Sequence, residues 1–153
     1  MTIKAQALAD FVSEIMGTNQ EEVFEERPWI LHVDGSSTMQ GSGAGVVIAS
    51  PQGDDMEFAI KFDFKASNNE VEYEALVIGM RMAQDAGALH LLAYSDSQLI
   101  VKQVTGEYET KEESTVQYLQ QKDELKTKFK SFHLKQIPRE ELKQIIYSNW
   151  PVH

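Results

Sequence analysis

The 153-residue chain contains no cysteine. Disulfides and thiolate-held zinc are therefore excluded, and the absence suits a reducing compartment. No run of apolar residues is long enough to span a bilayer, and the N-terminus lacks a basic-then-apolar signal pattern. A soluble intracellular protein, cytoplasmic or nuclear and with no membrane partner, is the expectation. Positive charge is also scarce, with 14 Lys and Arg against 24 Asp and Glu and a formal net charge of −10. That balance excludes a uniformly basic, polyanion-binding surface. The shortage is uneven, however. Glu21, Glu22, Glu25 and Glu26 cluster early, while Lys122, Lys126, Lys128, Lys130 and Lys135 cluster late. Carboxylates that hold cations would also reverse their local sign.

The length suits one domain that buries its own core. Residues 1–27 read as a linker or docking segment: a short helical pattern (Leu8, Phe11, Val12, Ile15), then Gly17 and an acidic stretch up to Pro28. The domain is expected over 28–147, with a tail at 148–153. Trp29–Asp34 reads as a strand, followed by a turn at Gly35 and two serines, and Gly41–Ser50 as a second strand. Pro51-Gln52-Gly53-Asp54 is a turn, since proline presets one backbone angle and glycine accepts the positive one. In Met56–Phe64 the apolar residues alternate with Glu57, Ala59, Lys61 and Asp63, the period-two pattern of a strand with one buried face. Three strands on short turns make an antiparallel meander.

A long helix follows. Ser67 and Glu70 have capping-box spacing, and Gly87 lies just past the end at Ala86. Glu72, Leu76, Gly79, Met80 and Ala83 form its packed stripe, whereas Glu70 is a cap partner and Glu74 falls on a wetter face. Leu91–Tyr94 is a fourth strand, and the right-handed crossover makes it parallel to the first. A short helix at Ser97–Val104, a helix at Ser114–Lys130, a strand at Phe132–Ile137 and a helical tail to about Tyr147 complete the pattern. The expected fold is α/β: a five-stranded mixed sheet, a meander of three strands plus two parallel strands, with helices on both faces.

Three acids stand where burial is costly. Asp34 closes the first apolar run, Asp96 closes the fourth, and Glu72 heads the packed stripe of the helix. Singly, each has a plain structural explanation: a turn, a helix cap, a residue favoured by the helix dipole. Parallel pairing brings all three to the carboxyl ends of the strands, the end where open α/β sheets bind ligands. Crowded carboxylates raise one another's pKa unless a cation intervenes. Oxygen-only ligation favours Mg²⁺ or Mn²⁺ over zinc.

Asp34-Gly35-Ser36-Ser37, Ser67-Asn68-Asn69-x-x-Glu72 and Tyr94-Ser95-Asp96-Ser97-Gln98 together resemble the motifs of type 1 ribonuclease H. The likeness is strongest to the ribonuclease H domains of plant long-terminal-repeat retrotransposon polyproteins and runs from about Trp29 to Glu141. It implies a ribonuclease H-like fold and endonucleolytic hydrolysis of the RNA strand of RNA–DNA hybrids. By that resemblance Asp34, Glu72 and Asp96 are catalytic and bind two Mg²⁺ ions, for which Mn²⁺ can substitute, one activating water and one stabilising the leaving oxygen. Gly35, Ser36, Ser67, Asn68, Asn69, Ser97 and Gln98 are the implied nucleic-acid contacts; short polar side chains suit 2′-hydroxyl recognition. Ile3–Val12 resembles the joint to a reverse transcriptase domain, which implies such a partner within the same polyprotein.

The resemblance fails near the C-terminus. The family carries a fourth acid on a terminal helix after an Ile-Pro-Arg-Glu-Glu-Asn pattern. Here Ile137-Pro138-Arg139-Glu140-Glu141 matches, Leu142 replaces the asparagine, and Ile146 occupies the place of the aspartate. A weakened second metal site is expected, with rescue by Ile146→Asp. The alternative is a catalytically inactive nucleic-acid-binding or assembly module. His32 and His133 are expected to be strand residues, and the late lysines either a solvated helix face or a backbone-contacting one.

Overall fold

The computed structural model describes residues 27–38, 41–64 and 66–147. The expectations for 1–26 and 148–153 lie outside the described residues. The elements run β1 (Trp29–Thr38), β2 (Gly41–Ala49), β3 (Asp55–Phe62), α1 (Asn68–Asp85), β4 (His90–Ser95), α2 (Gln98–Val104), α3 (Glu113–Lys126), β5 (Ser131–Gln136) and α4 (Arg139–Tyr147). One five-stranded sheet has the order β3-β2-β1-β4-β5. β1–β2 and β2–β3 pair antiparallel, while β1–β4 and β4–β5 pair parallel. The mixed sheet read from the sequence is the one observed.

Alternation assigns the two faces. Leu31, Val33, Val46 and Ile48 point into the main core with Leu76, Met80 and Ala83 of α1 and Leu125 of α3. Val47, on the opposite face, packs with Ile137 and with Leu142 and Ile146 of α4. Gly79 lets α1 settle on the sheet, because a Cβ there would stand 2.7 Å from Leu31 Cδ1.

Four readings need correction. β1 does not turn at Gly35: it continues to Thr38, each residue paired with β2 as far as Thr38 opposite Gly41. The alternating face of β3 is only half-buried at Phe58, Ile60 and Phe62, while Met56 and Phe64 are exposed. Among the described residues β3 is an edge strand, paired with β2 alone. α3 stops at Lys126, where Thr127 caps it, rather than at Lys130. Lys122 is not on a solvated face; it is buried, and its ammonium donates to Val104 O at 3.3 Å.

Candidate active site

The parallel pairing of β1 with β4 runs through His32 opposite Tyr94. Asp34 and Asp96 each lie two residues further on, so both carboxylates emerge at the same end of the sheet. His32 itself stacks on Tyr94, with ring centroids 5.1 Å apart, and burial lowers its pKa. It is a packed strand residue.

Glu72 arrives from α1, and local chemistry fixes how. Ser67 caps the helix by accepting from Glu70 N, and Glu70 Oε1 accepts from Ser67 N in return, completing the capping box. Asn68 Oδ1 accepts from Ser37 N at 2.9 Å and Ser37 Oγ donates to Ala66 O at 2.5 Å, tying the helix start to the extension of β1. Gly35 permits the approach: a Cβ there would lie 2.9 Å from both Val71 Cγ1 and Val71 O. The result is a bond from Gly35 N to Glu72 Oε1 at 2.7 Å. Ser95 Oγ donates to Glu72 Oε2 at 3.2 Å and accepts from Ser97 N at 3.1 Å, while the Ser97 hydroxyl caps α2.

Asp34, Glu72 and Asp96 therefore converge, each offering a carboxylate oxygen within 4.8 Å of the others. Burial first, and then the nearby Asp96 and Asp34 charges, push the Glu72 carboxyl up to about 8 against the opposing pull of its Gly35 bond. Burial likewise raises Asp34, with Asp96 adding to the rise and the Tyr147 hydrogen bond opposing it. Three crowded acids, two of them held above their ordinary range by burial, form a donor set that a hard divalent cation suits: all oxygen and clustered. The triad fits such an ion on its donor chemistry and spacing.

A cleft of about 300 Å³ opens beside Glu72 and Asp96, lined by Gly35, Ser36, Asn68, Asn69, Glu72, Asp96, Ser97 and Arg139 but not by Asp34. Most residues singled out from the sequence thus share one concavity. Ser67 and Gln98 are exposed at the starts of α1 and α2 without lining it. His133 is exposed on β5.

Sequence reasoning missed three neighbours of the triad. Ser95 sits inside the Tyr94–Gln98 motif and was legible there. Arg139, whose Nε donates to Asp96 Oδ2 at 3.3 Å, was visible only as part of the Ile-Pro-Arg pattern. Tyr147, whose hydroxyl donates to Asp34 Oδ2 at 3.1 Å, carried no signal. The Ile146 side chain is fully buried against Val47, Ile137 and Leu142.

Residues 32–145 match the family described as reverse transcriptase-like. The chain belongs to that family. A ribonuclease HI from Halobacterium salinarum is 33% identical over 75 residues, which are 49% of this chain and 38% of that protein. The matched segment thus spans well under half of that relative. The crystal structure of the ribonuclease H1 of the same archaeon superposes with a TM-score of 0.71 at 28% identity, covering 76% of this chain and 90% of that one. LC11-RNase H1, solved in complex with an RNA/DNA hybrid, gives 0.68 at 27% identity over 76% and 89% of the two chains. This member of the reverse transcriptase-like family has a ribonuclease H-like fold. No helix among its described residues is long and apolar enough to cross a membrane.

Proposed function

We propose that this domain is an endonuclease that hydrolyses the RNA strand of RNA–DNA hybrids. The observation that carries the reading is the convergence of Asp34, Glu72 and Asp96, from three separate elements, to ligand spacing at the carboxyl end of two parallel strands. The likeness to ribonuclease H1, including one solved with a hybrid, supports it. In the reaction, water adds to phosphorus and the bond to the 3′ oxygen breaks, leaving a 5′-phosphate and a 3′-hydroxyl. Two Mg²⁺ ions, or Mn²⁺, would supply the Lewis acidity for attack and departure when bound by the three carboxylates.

The chain's own groups orient that site. Gly35 N and Ser95 Oγ each hold one oxygen of Glu72, fixing the carboxylate plane. Asn68, Asn69, Ser36 and Ser97 line the cleft as contacts for the hybrid, with short polar groups that suit its 2′-hydroxyls. Ser67 and Gln98 flank it. The likeness of the three motifs supports reading the domain as part of a plant long-terminal-repeat polyprotein, beside a reverse transcriptase and in the cytoplasm or nucleus. Catalysis is impaired, because the buried Ile146 cannot coordinate a cation and α4 brings the Tyr147 hydroxyl, not a fourth carboxylate, to Asp34.

The same observation motivates a second reading, a hybrid-binding or assembly module without turnover. Purified protein with labelled hybrid and Mg²⁺ or Mn²⁺ tests the two. RNA-strand cleavage that disappears on Asp34→Asn is the expected result. Hybrid binding without cleavage selects the module, and cleavage indifferent to Asp34→Asn overturns the assignment.

A further inference from the structure

The last turn of α4 makes a contact that hydrolysis does not require. Leu142 and Ile146, one turn apart, are fully buried and fix the rotation of the helix on the sheet. With that rotation set, the next residue, Tyr147, carries its hydroxyl to Asp34 Oδ2 at 3.1 Å. At the helix's other end Arg139 Nε reaches Asp96 Oδ2 at 3.3 Å. The third acid, Glu72, is held from within the sheet by Gly35 and Ser95. Two of the three carboxylates are therefore engaged by α4, each through one of the two oxygens it could offer a cation. Tyr147 lies beyond the residues that match the family, 32–145.

We infer that Tyr147 is a latch on the cluster: its hydroxyl holds Asp34 when no cation is bound and releases it when a divalent cation binds. The inference rests on the reading of the triad as a cation site. A phenol hydroxyl donates to a carboxylate but brings no negative charge, so it satisfies Asp34 without adding to cation affinity. A cation and the hydroxyl compete for the same carboxylate, and a hydrogen bond to a charged acceptor is among the stronger ones. Competition at one carboxylate is reciprocal: the latch weakens cation binding by the factor by which the cation weakens the latch. Occupancy of the site is then reported to the end of α4 through the bond from Tyr147 to Asp34. Arg139, being largely exposed, contributes a screened and smaller opposition.

Calorimetric titration with MnCl₂ of the wild type, Tyr147→Phe, Asp34→Asn and the double variant tests this. Tyr147→Phe is expected to bind Mn²⁺ about tenfold more tightly, the size of one partly exposed hydrogen bond to a charged acceptor. In the Asp34→Asn background the same change is expected to alter nothing. A near-ultraviolet tyrosine difference spectrum on adding Mn²⁺ should appear in the wild type and vanish in Tyr147→Phe. Equal or weaker Mn²⁺ affinity in Tyr147→Phe, with binding still dependent on Asp34, overturns the latch and leaves the cation site standing. No Mn²⁺ binding by any variant overturns both.

Discussion

The first turns of α1 and the last turn of α4 deliver side chains to the same carboxylate cluster by different means. At α1 the delivery is written into the backbone. Ser67 closes a capping box, Asn68 ties the helix start to Ser37, and Gly35 lets the helix come close enough for its own N–H to hold Glu72. At α4 the delivery is a by-product of packing. The burial of Leu142 and Ile146 sets the rotation, and Tyr147 arrives at Asp34 because it is the next residue. The first arrangement is robust to neighbours, while the second depends wholly on which residues form the apolar stripe.

The strongest way to break the comparison is Ile146→Asp. Sequence register alone predicts that this change restores a ligand. The structure predicts that it places a carboxylate with no exposure among Val47, Ile137 and Leu142. The cost of an unpaired buried charge is on the order of 4 kcal/mol. Thermal unfolding should show a large fall in Tm, whereas Tyr147→Asp, at a partly exposed position, should unfold close to wild type. A stable Ile146→Asp protein that binds Mn²⁺ more tightly would show that α4 can turn and that the register reading is right.

The same contrast separates what was legible in the sequence from what was not. Motifs in which a residue acts on its own neighbours could be read directly. The cap at Ser67, the packed stripe of α1 and the end at Gly87 are all local, and all are observed. The meeting of Asp34 with Asp96 needed only the parallel crossover. The path of β1 past Gly35 was hidden because glycine and serines favour turns, and the pairing with β2 that overrides them is not local. The burial of Lys122 depends on α2 ending above it, which no spacing within α3 reports. Tyr147 was invisible for a related reason. A helix-to-sheet rotation decided by two aliphatic residues cannot be counted from a motif that ends before them.

A smaller effect sharpens the α1 side. Glu72 is buried, and in the cation-free protein burial with its acidic neighbours raises its carboxyl from 4.5 to about 8. The folded state therefore binds a proton more tightly than the unfolded chain does. The stability linked to that proton is fully present below pH 4.5 and is lost as pH rises through about 8. With chelator present, Tm should fall across that window by the equivalent of a few kcal/mol, on the order of the shift itself. Glu72→Gln should flatten the slope, and Mn²⁺ should abolish it by taking the place of the proton. A cation-free protein whose stability is level from pH 5 to pH 8 in both variants would show that Glu72 is better solvated than its burial indicates.

Gly35→Ala is the gentlest probe, because it adds one methyl group and no charge. That methyl would meet Val71 Cγ1 and Val71 O at 2.9 Å and Glu72 N at 3.0 Å. Two of those three atoms are backbone and cannot step aside as a flexible side chain would, so α1 must shift away from β1. Overpacking of this kind costs about 2 kcal/mol, enough for a modest fall in Tm with the fold retained. The shift also lengthens the bond from residue 35 N to Glu72 Oε1, so the carboxylate loses one of the two donors that set its plane. Mn²⁺ affinity should therefore fall more steeply than stability does. Tyr147→Phe in the same protein should still tighten Mn²⁺ binding, because the contact of α4 with Asp34 does not pass through α1. If Gly35→Ala instead cancels the effect of Tyr147→Phe, the two helices do not act on the cluster independently, and the division between a backbone-written side and a packing-written side fails.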